Sequence, residues 1–273
     1  VAGGAINTPA LLLRSGLPDP HGQLGRRTFL HPVVISAAVY GEAVAGWEGA
    51  PQTLYSDHDL HTQALDGDIG FKLEVAPLHP LIAATTLTGF GPEHAALLAE
   101  LPRTQAMIAL LRDGFHRESP GGRVGLRSDG TPLLDYPLTP YVMAGARRAL
   151  RRMAEIQFAA GARTVLPVHE QARPSASWAQ AQRQIDALAM QPLQAKVVSA
   201  HVMGGCAMAG DAAGGVLRPD GRHWQIRNLS VHDGAIFPTS IGANPQLSIY
   251  GWVNRLATEL AVALGGRAVS LAA

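Results

Sequence analysis

Residues 201–246 read HVMGGCAMAGDAAGGVLRPDGRHWQIRNLSVHDGAIFPTSIGANPQ, and the punctuation of this stretch decides how the whole chain is organised. Residues 196–200 lead in as a short extended segment, and His201 follows them directly. Gly204 and Gly205 come next, then Cys206, the single cysteine of the chain. A histidine between a strand end and a glycine pair either faces a ligand or sits buried against a hydrogen-bond partner. A Cys–His nucleophilic pair is a third reading. Cys206, however, has the neighbours of a small core residue and no sequence reason for a lowered pKa. Forty-odd residues on, Asn244 stands where a helix cap belongs, and Pro245 suits the first helical position. The helix is expected to run through Leu247, Tyr250, Val253 and Leu256 to Leu264, with Gly265 just past its end. An amide beside a positive helix end suits an electron-rich ligand.

Working outward, the opening VAGGAINTPALLLRSG reads as the end of a buried strand, a glycine turn and a short helix. Thr8 is expected to cap that helix, Pro9 to open it and Gly16 to close it. Gly3, Gly4 and Ala5 either let the backbone approach a ligand closely or form a plain strand-to-helix turn. Between the two ends the elements are mixed. Residues 31–40, HPVVISAAVY, read as a strand, and Phe71, Leu73 and Val75 alternate with charged residues as a second. Residues 41–68 read as irregular; within them His58 and His61 have metal-like spacing but no further ligand, and read as solvated loop. Residues 92–111 carry helical spacing, one or two helices. A hairpin is expected over 123–136 with Ser128-Asp129-Gly130 as its turn. Thr139-Pro140 starts a long helix that buries Val142, Ala146, Leu150 and Met153 and ends at Gly161. Arg147, Arg148, Arg151 and Arg152 fall on its solvated side. A short strand over 164–168 and a helix over 177–190 complete an α+β middle, flanked by pieces of another domain.

Composition narrows the function classes. The chain has 273 residues, 47% hydrophobic and 16% charged, enough to bury a sizeable core. A formal net charge of +1 gives no reason to expect nucleic acid or an anionic membrane as partner. One cysteine excludes an internal disulfide and fits a cytoplasmic setting. No run approaches the roughly 18 apolar residues of a membrane span. No set of metal ligands stands out. The apolar, glycine-rich start without Met or leader reads as the middle of a longer protein.

Taken together, these segments resemble the glucose–methanol–choline (GMC) flavoprotein family. Residues 4–17, GAINTPALLLRSGL, are similar to the family's second signature, with Pro18 where the family has Gly. His201-x-x-Gly204-Gly205-Cys206, then Leu229-x-x-x-Asp233-Gly234, then Asn244-Pro245, are similar to its closing motifs in order and spacing. The flavour of those motifs is nearest to long-chain alcohol oxidases and flavin-linked sterol oxidases. The resemblance implies the C-terminal half of an FAD enzyme that oxidises an alcohol, with His201 as general base and Asn244 holding the substrate oxygen. It implies FAD contacts from Gly3, Gly4, Ala5, Asp233, Gly234, Asn244, Pro245 and Gln246. It also implies part of a Rossmann-like FAD domain over 1–30 and 195–273, around a substrate domain with a mainly antiparallel sheet over 31–194. The chain has no G-x-G-x-x-G ahead of a helix, so an N-terminal FAD-binding half is the expected partner, beside a small-molecule alcohol. A non-catalytic fragment or subunit that folds only with such a half is the alternative.

Overall fold

The computed structural model describes residues 1–50, 52–61 and 64–266. Among them the strands are, in chain order, β1 (Arg26–Phe29), β2 (Val33–Val39), β3 (Tyr55–Ser56), β4 (Phe71–Ala76), β5 (Thr104–Leu111), β6 (Gly122–Leu126), β7 (Pro132–Asp135), β8 (Thr164–Pro167) and β9 (Met203–Gly204). The helices are α1 (Gly4–Arg14), α2 (His58–His61), α3 (Pro80–Thr86), α4 (Gly91–Ala99), α5 (Pro140–Ala159), α6 (Trp178–Ala187) and α7 (Gln246–Ala263). They sort into two units. One comprises Val1–His31, Asp113–Pro137 and Ala200–Ala273; the other comprises Pro32–Arg112 and Leu138–Ser199. The outer changes of unit come at 31/32 and 199/200, where the sequence reading set 30/31 and 194/195. The expected middle segment differs in one piece. The hairpin at 113–137 belongs with the chain ends, because its strand β6 pairs with β1.

The second unit is built on a five-stranded antiparallel sheet ordered β3-β4-β5-β2-β8. β2 (VVISAAV) pairs on both sides and is buried along nearly its whole length, which suits its β-branched and small side chains. Residues 104–111, expected to be helical, form the other central strand instead. A short apolar run such as AMIALL satisfies either period, and pairing with both β2 and β4 settles it as strand. α5 crosses this sheet with Val142, Ala146, Leu150 and Met153 buried, as its periodicity predicts. Thr139 Oγ1 caps it by accepting the Val142 N–H at 3.3 Å, and Gly161 follows it at φ +90. Gln157 on α5 is buried and meets a matched set of polar partners. It accepts from Ser36 Oγ at 2.7 Å and donates to Ser36 O at 3.1 Å and Gln105 Oε1 at 3.2 Å. The arginines of α5 do more than face solvent. Arg147 donates to the carbonyls of Ile185, Asp186 and Leu188, filling acceptors left open at the end of α6, and Arg151 pairs with Asp186. Arg148 pairs with Asp68 at 2.7 Å, and Arg152 with Glu155 at 2.8 Å.

The first unit holds an antiparallel sheet ordered β7-β6-β1-β9, with α1, α7 and a core of Leu12, Leu24, Met203, Cys206, Leu217, Val231, Ile236 and Leu256. The hairpin turn is as expected. Gly130 has φ +80, and Asp129 Oδ1 accepts the Thr131 N–H at 2.9 Å. The mixed α+β class expected from the pattern of elements is therefore the one observed, with antiparallel pairing in both sheets.

One glycine in the second unit tests the packing. A Cβ at Gly145 on α5 would collide with Ile69 Cγ2 and approach Leu111. Gly145→Ala should therefore lower the unfolding free energy, by an overpacking penalty of about 1–3 kcal/mol less the roughly 1 kcal/mol that Ala gains in a helix, and with it the urea midpoint. Gly251→Ala on α7, where the space is open, should raise stability instead. Equal midpoints for the two variants in urea unfolding would contradict this packing.

Candidate active site

The site is assembled in the first unit from three segments far apart in sequence. The first is the start of α1. The helix begins at Gly4, with Gly3 as its cap residue, five residues earlier than expected, and takes in Thr8 and Pro9. Thr8 does not cap by its own position. Its hydroxyl accepts the Gly3 N–H at 2.8 Å and donates to Asp233 Oδ2 at 2.5 Å. Gly4 N–H donates to the same oxygen at 2.9 Å, while Asp233 Oδ1 accepts from Ala235 N–H at 2.7 Å. A buried carboxylate thus sits at the positive end of α1, with both oxygens hydrogen-bonded. Gly4 has φ +82 and open space where a Cβ would stand, and Gly3 and Ala2 are exposed. Ala5 is buried.

The second segment carries His201. β9 pairs with β1 through Thr28 opposite Gly204 and Phe29 opposite Met203. Gly204 (φ +84) passes so close to β1 that a Cβ would strike Arg27 O, and Gly205 (φ +91) lies 3.0 Å, by the same measure, from Pro9 Cγ on α1. The glycine pair is thus a packing requirement, and it delivers the chain from half-buried His201 into the core at Cys206. Burial, with Asp233 and Asp19 nearby, pushes the Cys206 thiol up far beyond its ordinary range, which removes the Cys–His nucleophile reading. His201 meets a residue that motif reading missed. His31 Nδ1 and His201 Nδ1 are 3.1 Å apart, with ring centroids 5.2 Å apart and planes tilted by 30°.

His31 lies just beyond β1 rather than in a strand, fully buried, at φ +51. Buried Asp113 holds that turn. Its Oδ2 accepts from Leu30 N–H at 3.2 Å and from Tyr136 Oη at 2.6 Å, and the His31 N–H also points to the carboxylate. Ser240 Oγ donates to the Asp113 carbonyl at 2.7 Å. Burial raises the Asp113 pKa, and these hydrogen bonds oppose the rise. Burial also raises the Tyr136 phenol, and the neighbouring carboxylate adds to the effect. Only a His-Pro step ahead of an apolar strand hinted at this arrangement in the sequence.

The third segment is the start of α7. The cap residue is Pro245, whose carbonyl accepts the first helical N–H, from Ile249 at 2.8 Å. Asn244 therefore stands one residue before the cap, half-buried, and the helix proper starts at Gln246. Proline at the cap fits, since it keeps the accepting carbonyl and gives up only an N–H that has no helical partner. Buried Gly234 links the second and third segments. A Cβ there would meet Ile249 Cδ1 of α7 at 3.2 Å and Val202 O, next to His201, at 3.4 Å. Every residue expected at the site thus falls in this one unit. Elsewhere, His58 and His61 form a helical turn rather than a loop. Among the described residues no cluster of three His, Cys, Asp or Glu side chains could hold a metal ion.

Two family models described as GMC oxidoreductase match the chain, one over residues 1–33 and one over residues 118–252. The chain belongs to the GMC oxidoreductase family. FAD is the cofactor of this family. A long-chain-alcohol oxidase of Arabidopsis thaliana is 28% identical over 265 residues, covering 91% of this chain and 35% of the relative. An uncharacterized GMC-type oxidoreductase of Mycobacterium tuberculosis is 31% identical over 265 residues, covering 96% of this chain and 38% of the relative. The chain thus spans well under half the length of these relatives. Formate oxidase of Aspergillus oryzae, solved as a variant that affects FAD modification, superposes with a TM-score of 0.63 at 15% identity. The match covers 96% of this chain and 53% of that one, and shows a shared fold.

The buried thiol gives a direct test of the site's packing. Mass-spectrometric mapping after iodoacetamide treatment should find Cys206 unmodified in the native protein and modified after unfolding, at any pH where the fold persists. Rapid native labelling near neutral pH would contradict both the burial and the raised thiol.

Proposed function

We propose that this chain carries the catalytic side of an FAD-dependent oxidation of an alcohol CH–OH group to an aldehyde or ketone. The substrate we assign is a hydrophobic alcohol, long-chain or sterol-like. The observation that carries the reading is His201, a half-buried imidazole held by buried His31 in the same unit as Asn244 and the Gly4–Asp233 junction. The motif flavour around Gly204-Gly205-Cys206 and Asn244-Pro245 supports the substrate class, as does similarity to the plant long-chain-alcohol oxidase. Among the described residues no helix is long and apolar enough to cross a membrane.

The residues present fit the cofactor. At Gly4 a positive-φ backbone with open space on its Cβ side, beside exposed Gly3, lets a dinucleotide come against the main chain. Gly3, Gly4 and Ala5 would hold that part. Asp233 and Gly234 would line the ribityl–phosphate stretch, Asp233 chiefly by fixing the backbone around it. Asn244, Pro245 and Gln246 would face the ring system. When bound, FAD supplies the acceptor for the carbinol hydride at its N5 atom. His201 takes the hydroxyl proton, since imidazole titrates near neutral pH. Asn244 donates a hydrogen bond to the substrate oxygen and fixes the carbinol carbon toward the ring. The positive end of α7 favours negative charge placed beside it, by roughly 0.3–2 kcal/mol.

In the FAD-loaded protein, His201→Ala should slow flavin reduction by alcohol by roughly 10²–10⁴-fold while changing alcohol affinity far less. Asn244→Ala should slow it less, by one oriented hydrogen bond. Stopped-flow reduction of folded, fully flavinated variants checks both. A His201→Ala protein reducing its flavin within a few-fold of the parent would remove this reading. Joined to an N-terminal FAD-binding half, the chain should support flavin reduction by alcohol; a folded, FAD-loaded complex that no alcohol reduces would leave only the reading as a non-catalytic dependent fragment.

A further inference from the structure

We propose that His31 is a positioning residue that fixes the tautomer and ring orientation of His201. The proposal rests on the reading of His201 as the base and deepens it.

The contact between the two rings is nitrogen to nitrogen, Nδ1 to Nδ1, at 3.1 Å. Such a bond holds only if one nitrogen carries a proton and the other offers its lone pair. With His201 Nδ1 committed to His31, the task of accepting the hydroxyl proton falls on His201 Nε2. A base must present a bare lone pair there, so the resting proton of His201 belongs on Nδ1, donated to His31 Nδ1. His31 then carries its own proton on Nε2. When the alcohol O–H bond breaks and its proton joins His201 Nε2, the Nδ1–H bond to His31 persists and strengthens, because its donor has become cationic. Two imidazolium rings at this separation would repel, so His31 stays neutral throughout and no proton leaves the pair. The role is that of the third group that orients a base in nucleophile–base–orienter arrangements, filled here by an imidazole.

An orienter works only if it is itself rigid, and His31 is anchored beyond what a packing residue needs. It is fully buried and sits at φ +51, a conformation open to few residues besides Gly, Asn, Asp and His. The Asp113 carboxylate gathers the Leu30 and His31 backbone N–H groups, Tyr136 Oη locks that carboxylate at 2.6 Å, and Ser240 fixes the Asp113 carbonyl. Pro32 follows directly and stiffens the exit into β2.

Three variants of the FAD-loaded protein and one spectroscopic measurement test this. His31→Ala should slow flavin reduction at least about ten-fold with alcohol affinity changed by less than about three-fold. His31→Asn should recover much of the rate. Asparagine tolerates the left-handed backbone, and its side-chain oxygen sits one bond from Cγ, as Nδ1 does. Adding His31→Ala to His201→Ala should cost nothing further, since the two act as one unit. Nitrogen-15 NMR of histidine-labelled protein should show His201 protonated at Nδ1 in the parent and shifted toward the Nε2 tautomer in His31→Ala. The Asn variant and the parent spectrum decide the matter if His31→Ala does not fold. A parent His201 protonated at Nε2 would overturn the proposal, as would a folded His31→Ala protein with parental rate and spectrum. Loss of rate in His201→Ala with none in His31→Ala would sink this inference alone. A parental rate in His201→Ala would sink the functional reading beneath it.

Discussion

The first unit depends on one carboxylate placed at a helix start. Asp233 receives the Gly4 N–H, the Thr8 hydroxyl and the Ala235 N–H, joining residues some 229 positions apart in sequence. Each of those donors would be costly to bury alone, and the carboxylate would be costlier still. Together they satisfy one another, and the positive end of α1 favours the charge. The junction lets α1 be entered through Gly3 and Gly4, with backbone open on one side and the core of Leu12, Ile236 and Cys206 on the other.

A second buried carboxylate repeats the device. Asp113 opens the segment that carries β6 and β7, and its hydrogen bonds set the turn at Leu30 and His31. The 113–137 hairpin is therefore part of the unit that holds His201, even though the two pieces of the second unit precede and follow it in the chain. Removing the donors of either carboxylate would leave a buried acidic group without hydrogen-bond partners, a costly arrangement.

Local chemistry was legible wherever it acts over a few residues. Thr139-Pro140 and Gly161 bracket α5, Asp129-Gly130 turns the hairpin, and Gly16 and Gly265 follow α1 and α7 with positive φ. It misled where a neighbour from afar decides. Thr8-Pro9 looks like a helix start, yet Asp233 supplies the partner that lets α1 begin at Gly4. Residues 104–111 have helical spacing, yet β2 and β4 take them as a strand. Asn244 looks like a cap, yet Pro245 fills that place. The arginines of α5 look solvated, yet Arg147 closes the end of α6.

By itself the sequence determined the class of elements, the GMC motifs at both ends and the residue types offered for chemistry, because spacing and turn residues act locally. Only the tertiary structure decided that His31 meets His201, that Asp113 and Tyr136 stand behind it, and that Gly204 and Gly205 are glycines for the sake of β1 and α1. Those facts belong to pairs of residues some 20 to 200 positions apart. No period or cap encodes such a pair; it exists only once burial forces each polar group to find its partner.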